Sequence, residues 1–364
     1  MSKTVVTFGE IMGRLATPDH LRFRQALPGS IDVTFAGAEA NVSASLALLG
    51  DSVRFVTALP THLVADACVG TLAGLGIDTS SILRTDYGRL GLYFVELGAN
   101  QRPSLVQYDR AGSAISLTPA GAYDWDAIFD GAEWFHTTGI TPAISREAFE
   151  ATLGAVKAAK RLGLSVSCDL NFRKKLWRWK DGTEPKALAR ESMQQILPYI
   201  DLVIGNEEDA ADVLDVHAKD TDVESGSLNI EHYPDVARAI VERFPNVSTV
   251  GITLRESISA THNNWGAMLY VAESDTAYFA PLADGAYTPY RITGIVDRVG
   301  AGDSFGAGLI HCLRSEDYSK PADAVAFAVA ASCLTHSISG DFNYSTRSEI
   351  EALMGGSGSG RVVR

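Results

Sequence analysis

The chain opens on a short apolar run, "TVVTFG" (4–9), which predicts a buried first strand closed by a glycine turn. "AEANVSASLALLG" (38–50) then spaces small and apolar residues at helical intervals and stops at Gly50. "VRFVTAL" (53–59) predicts the next strand and "LVADACVGTLAGLG" (63–76) the next helix. The texture changes after that. "GLYFVEL" and "SLVQYDR" alternate apolar and polar positions as partly exposed strands do, with "GANQRP" as the turn between them. Residues 14–35 also hold strand-like pieces without a long helical period. Segments 14–35 and 89–112 together predict a small β appendage.

From Asp124 the alternation of strand and helix resumes. "AEWFHTTG" and "LSVSCDLN" bracket the helical "SREAFEATLGAVKAAKRLG", and "DLVIGN" follows another helix. "VSTVGITL", "GAMLYV" and "TAYFAP" predict further strands, and "ITGIVD" (292–297) a strand running into a glycine-rich stretch. Two helices, at about 303–314 and 321–338, close the chain. Repeated β–α units predict an α/β fold in which one mainly parallel sheet is covered by helices on both faces. Ligands of such sheets collect beyond the carboxyl ends of the strands. One domain is expected over 1–354, with a polar, turn-rich surface insertion at 215–232 and a flexible tail at 355–364.

Composition narrows the partners. The 364 residues are 46% hydrophobic, enough for a large core, and the formal net charge is −13. Nucleic-acid and anionic-membrane surfaces need clustered cations, so neither is expected, whereas a few local arginines can still hold an anionic small molecule. Cys68, Cys168, Cys312 and Cys333 are too far apart for a zinc knuckle or a redox pair and suit core packing in a reducing cytoplasm. The amino terminus carries Glu10 within its apolar run and is no secretory signal. The longest apolar stretch, Ala324 to Leu334, is shorter than the roughly 20 residues of a membrane span.

Candidate chemistry concentrates in "DRVGAGDSFGAG" (297–308), where Asp303 stands among Gly300, Gly302, Gly306 and Gly308. Glycines ahead of a helix let backbone N–H groups converge at its amino terminus, where the partial positive charge suits phosphate oxygens. An aspartate there equally serves as a helix cap. No Lys-Ser/Thr pair follows, so this is not a Walker A loop, and the glycine spacing and late position do not fit a dinucleotide fingerprint. What remains is an anion hole with a base at its lip. Such a site can take a proton from a hydroxyl while a phosphoryl group is held beside it.

This stretch resembles the signature of the PfkB (ribokinase-like) carbohydrate kinases, and "FAGAEANVSASLALLG" (35–50) resembles the same family's glycine-rich substrate-binding segment. "GAEAN", "YDRAGSA" (108–114) and "DLNFR" (169–173) are similar to the branch of that family acting on 2-keto-3-deoxy sugar acids. The resemblance implies a three-layer ribokinase-like fold with a β lid. It also implies ATP and Mg²⁺ as cofactors and in-line transfer to a primary hydroxyl, giving a 6-phosphate. By the same resemblance Asp303 is the general base, and the amides of Gly300, Ala301 and Gly302 form the anion hole, with Gly300 and Gly302 on the nucleotide phosphates. Gly37 and Asn41 are expected at the substrate's hydroxyls. Tyr108, Arg110 and Arg173 are expected at its carboxylate or keto end, with Tyr93 on the adjoining strand and Asp341 reaching in from the carboxy-terminal segment.

"GNEED" (205–209) resembles the family's N-x-x-E element for magnesium and phosphate, with Asp209 in place of the final Glu. Asn206 carries over, and the acid linked to magnesium through water is open among Glu207, Glu208 and Asp209. Thr253 is expected at the nucleotide, although "TLRESISATHNNWGA" departs from the family there: Arg255 replaces a glycine and the turn is lengthened. The alternatives to a keto-sugar-acid kinase are a fructokinase-like member of the family and a catalytically silent sugar-binding protein on the same fold. The exposed β lid is an expected surface for homo-oligomers.

Overall fold

The computed structural model describes residues 3–216, 230–318 and 320–356. The principal strands, in chain order, are β1 (Thr4–Phe8), β2 (Met12–Ala16), β3 (Asp32–Ala36), β4 (Val53–Val56), β5 (Gly91–Glu96), β6 (Leu105–Asp109), β7 (Ala132–Thr138), β8 (Ser165–Asp169), β9 (Leu202–Gly205), β10 (Thr249–Ser259), β11 (His262–Val271), β12 (Thr276–Ala280) and β13 (Tyr290–Ile292). The longer helices are α1 (Ala38–Leu48), α2 (Leu63–Gly74), α3 (Arg146–Arg161), α4 (Pro185–Ile196), α5 (Glu207–Leu214), α6 (Tyr233–Arg243), α7 (Ala301–Leu313), α8 (Pro321–Thr335) and α9 (Arg347–Met354).

The central sheet runs β12-β11-β10-β9-β8-β7-β1-β4, with β13 paired to β11. Strands β4 to β10 along this order are parallel, and β11 and β12 add antiparallel at one edge. Successive side chains of a strand point to opposite faces, and this alternation sorts the sheet into two cores. Phe8, Phe135, Val166, Val203 and Val250 pack with α3, α4 and α6. Val5, Phe55, Leu202, Ile204 and Leu269 pack with α1, α2, α7 and α8. The result is three layers, a mainly parallel sheet covered by helices on both faces, as the strand–helix alternation predicts and as the family resemblance implies.

Helix α3 shows how local sequence sets an element. Ser145 Oγ accepts from Ala148 N at 3.0 Å, satisfying an orphan donor of the first turn. The buried residues Ala148, Ala151, Thr152, Ala155 and Ala159 recur at three- and four-residue steps, and Gly163 turns the chain away at φ +81°. Helix α1 is different, because Glu39 to Leu46 are all buried. Its Ala and Ser side chains are small enough for the close approach of α7. A second sheet of four strands, ordered β3-β2-β5-β6, lies apart from the central one, and β2 and β5 are parallel neighbours.

Two expectations are corrected. "ITGIVD" is not a strand to its end: pairing stops at Ile292, and residues 293–300 run irregularly. The amides of Val296 and Asp297 turn instead to the carbonyl of His336 at the end of α8, at 2.8 and 3.5 Å, so a helix end replaces a sheet neighbour. "TLRESISATHNNWGA" is likewise not a loop after Thr253. Leu254 to Ser257 pair with Gly266 to Asn263, and β10 and β11 form a long hairpin that turns at Ala260–Thr261. Of the expected insertion, residues 217–229 lie outside the described residues, as do 357–364 of the tail.

Candidate active site

The site is built at the amino termini of α1 and α7. The first helical hydrogen bond of α7 runs from Ser304 N to Gly300 O, 2.8 Å. The N–H groups of Ala301, Gly302 and Asp303 therefore have no partner within the helix. Gly300 adopts φ +86°, the left-handed region where a side chain is strained, and the carbonyl of Asp341 fills the space a Cβ would need. This glycine thus lets the segment ahead of α7 lie directly on the loop around residue 341.

Asp303 sits in the first turn of α7, where the helix dipole suits a carboxylate. Asn41 Nδ2 donates to its Oδ2 at 2.6 Å. Asn41 is held in turn by Gly37, whose N–H reaches Asn41 Oδ1 at 3.3 Å and whose carbonyl accepts from Asn41 N at 2.7 Å. Gly37 is extended; it has to be glycine because the Glu10 carbonyl occupies the Cβ position. Burial raises the pKa of Asp303 from 3.8 to about 7. Asn41 opposes that rise, the charges of Asp341 and Glu39 add to it, and Arg173 works against it. A carboxylate poised near neutrality can accept a proton at working pH.

Arg173 follows β8 and is exposed, with Nη1 on its neighbour's carbonyl, Phe172 O, at 3.1 Å. Its charge acts on Asp303, Asp169 and Asp209, so it stands among the acids near the base. Asp169 closes β8 and is buried. Burial first, then the charges of Asp209 and Asp303, push its pKa far above the carboxylate range. Asp209 accepts Phe172 N at 2.8 Å and forms a reciprocal cap with Asn206: Asp209 N donates to Asn206 Oδ1 at 2.9 Å and Asn206 N to Asp209 Oδ2 at 3.3 Å. Both oxygens of Asp209 thus serve the protein. Glu208 is exposed, and the side chain of Glu207 lies outside the described residues.

In the four-stranded sheet, Tyr108 lies in β6 and Arg110 just past its end, with the guanidinium over the Tyr108 ring at 5.4 Å. Arg110 Nη2 also donates to Glu10 Oε2, while Arg110 Nε and Glu10 Oε1 are buried without a partner among the described residues. Tyr108 and Arg110, with Lys175, Trp177 and Trp179, border a cavity of about 500 Å³. The backbone joins this end to the base, because Glu10 carries the carbonyl that abuts Gly37.

Tyr93 and Asp341 are brought together, but with protein partners. Tyr93 OH donates to Asp341 Oδ2 at 2.7 Å, and Arg14 Nη1 donates to Asp341 Oδ1. Arg14 Nη2 donates to Asp297 Oδ2. Burial disfavours the charge of Arg14, yet Asp341 and Asp297 outweigh it and raise its pKa. Thr253 lies on β10, whose hairpin meets the loop 293–300 (the expected anion loop) where Arg298 Nη2 donates to Ser259 O and Asn263 Oδ1, both at 2.6 Å. Sequence reasoning assigned no role to Arg14, Asp297, Glu10 or Asp169. A charged residue inside an otherwise apolar strand segment, as in "EIMGRL", was the available signal for the first and third.

Residues 2–234 match the family model described as pfkB family carbohydrate kinase. A 2-dehydro-3-deoxygalactonokinase of Haloferax volcanii is 30% identical over 361 residues, covering 99% of both chains. Fructokinase-1 of Oryza sativa is 25% identical over 97% of both. The crystal structure of 2-dehydro-3-deoxygluconokinase from Thermotoga maritima superposes with a TM-score of 0.87 at 44% identity, covering 98% of this chain and 99% of that one. No helix among the described residues is long and apolar enough to cross a membrane.

Proposed function

This chain belongs to the pfkB family and is a carbohydrate kinase, and we propose that it transfers the γ-phosphoryl group of ATP to the primary alcohol of 2-dehydro-3-deoxygluconate, forming the 6-phosphate. The observation that carries the reading is Asp303, a carboxylate with a pKa near 7, standing at unpartnered helix amides and held by the segment that begins at Gly37. Its carboxylate takes the proton of the incoming hydroxyl as that oxygen bonds the γ-phosphorus and the bond to the β–γ bridging oxygen breaks, releasing ADP. The amides of Ala301 and Gly302, behind the Gly300 turn, receive the charge on the transferred group. Aligned carboxylate and fixed dipoles suffice for this chemistry, because phosphoryl transfer asks mainly for positioning and charge stabilisation.

Asn41 and Gly37 orient the substrate hydroxyls. Arg110 binds the carboxylate end, where Tyr108 stacks beneath it and Glu10 holds it from behind. Arg173 serves the carboxylate or keto end as expected, and its charge also offsets the acids around the base. Tyr93 and Asp341 act by supporting the anion loop, since their polar atoms are already paired. ATP is the donor, with Thr253 on the nucleotide side; Asn206 and the exposed Glu208 would hold Mg²⁺, which would supply charge neutralisation on the phosphates. The relatives carry both gluconate and galactonate names, so C4 epimers are alternative acceptors. Four free cysteines fit a cytoplasmic enzyme. Val33 and Leu105, exposed on the lid sheet, are the surface for a second copy.

The test is a coupled ADP-release assay across C4-epimeric keto sugar acids and neutral hexoses. Selective turnover of keto acids is expected; equal turnover of fructose overturns the substrate assignment, and absence of ATP–Mg²⁺ binding by calorimetry overturns the kinase role.

A further inference from the structure

Arg14 is 2% exposed and lies in β2, the strand of the lid sheet nearest in sequence to the first core strand. Its ladder partner in β5 is Tyr93. Both residues of this rung reach across to carboxylates near the other end of the chain: Arg14 to Asp297 and Asp341, Tyr93 to Asp341. Those two acids define the anion loop. Asp297 Oδ1 accepts Arg298 N at 2.8 Å and Val299 N at 3.2 Å, and its Oδ2 also accepts Gly340 N at 3.2 Å. The backbone carbonyl of Asp341 is packed against Gly300, the residue that turns the chain into α7. Among the described residues no sheet ladder supports 293–300, so the loop is held at its entry by the Thr261 and His336 carbonyls, at Arg298 by the β10–β11 hairpin, and by these two acids.

We infer that Arg14 is a positioning residue for phosphoryl transfer: from the lid sheet, through Asp297 and Asp341, it sets the loop whose amides receive the transferred group. This inference rests on the reading of Asp303 and its helix amides given above. A planar guanidinium with donors in a fixed fork spaces two carboxylates at a defined separation, which a single ammonium cannot do. Buried ion pairs add little net stability because desolvation offsets their attraction, so geometry is the more direct gain here. A reacting group displaced by about 1 Å can cost on the order of 10²-fold in rate. The same rung belongs to the sheet that bears Tyr108 and Arg110, so the sugar end and the phosphate end share one support.

The experiment compares Arg14→Lys and Tyr93→Phe with the wild type in the full chain. Turnover, the KM for the keto acid, the thermal midpoint and calorimetric affinities for ADP–Mg²⁺ and for a non-hydrolysable ATP analogue are measured. Arg14→Lys is expected to lower kcat on the order of 10–100-fold, with the keto-acid KM essentially unchanged and the ATP analogue weakened more than ADP. Tyr93→Phe removes one hydroxyl and no charge. It shows the same pattern at smaller amplitude even where Arg14→Lys fails to fold. An unchanged ratio of analogue to ADP affinity in both variants overturns the inference, as does a rise in keto-acid KM with kcat intact. Should the wild type phosphorylate no sugar acid, the substrate reading fails while the nucleotide ratio still decides the role of Arg14.

Discussion

Asn41 and Asp303 stand 262 positions apart in the chain, yet the amide Nδ2 of one donates to the carboxylate of the other at 2.6 Å. One residue opens the helix of the sugar side, the other the helix of the phosphate side. Their bond ties the two half-sites together and also tunes the base. A hydrogen bond to the charged form favours ionisation, so Asn41 holds down a pKa that burial drives up.

Replacing Asn41 with Leu removes that bond, the one side-chain donor to the carboxylate among the described residues, so the apparent pKa on the acid side of the kcat/KM profile is expected to move upward. Asn41→Asp moves it further, because a like charge replaces the donor. A profile unchanged in either variant refutes the coupling.

In the wild type, the base must be ionised, so kcat/KM rises with pH through about 7 and levels off above it. Asp303→Asn is expected to lower turnover by roughly 10²–10⁴-fold with keto-acid binding retained. The folded pKa lies above the ordinary 3.8, so the folded protein binds more protons than the unfolded chain between these values, and the ionised carboxylate costs stability. Asn carries no such cost. The melting temperature of Asp303→Asn should exceed that of the wild type by a margin that widens from about pH 4 to pH 7 and is constant above. Calorimetric melts across that range check the sign.

Arg110→Lys keeps a cation beside Glu10 but loses the planar fork. Charge-assisted hydrogen bonds contribute about 1.5–3 kcal/mol, so kcat/KM for keto acids should fall by about one to two orders of magnitude, with the KM for ATP unaffected. An equal effect on neutral sugars, which lack the carboxylate, would place Arg110 outside substrate recognition.

Gly300→Ala meets two obstacles at once, a left-handed φ and the Asp341 carbonyl at the Cβ position. Backbone strain of this kind costs on the order of 1–3 kcal/mol. A lower thermal midpoint with a loss of turnover larger than any change in keto-acid KM is the expected result. Gly302→Ala, with open space around its Cβ position, should by contrast fold normally, and comparing the two melts separates crowding from loss of glycine itself.

The sequence by itself determined the order of strands and helices, the mainly parallel sheet and the helix mouth around Asp303. Hydrophobic period, caps such as Ser145 and glycine-rich turns are local signals, written within a few residues of where they act. It could not say that "ITGIVD" leaves the sheet at Ile292, because what competes for those amides is the His336 carbonyl, which only the packed end of α8 presents. It missed Arg14 and Glu10 for the same kind of reason: each is a charge in an apolar run whose partners, Asp297 and Asp341 for one and Arg110 for the other, are supplied by distant segments. It expected Tyr93 and Asp341 at the substrate but could not show that they also bond each other and that Asp341 bonds Arg14. A buried charge needs an opposite charge or hydrogen-bond donors, or else its pKa shifts toward the neutral form; which of these it meets is a property of the assembled layers, and that was decided by tertiary structure alone.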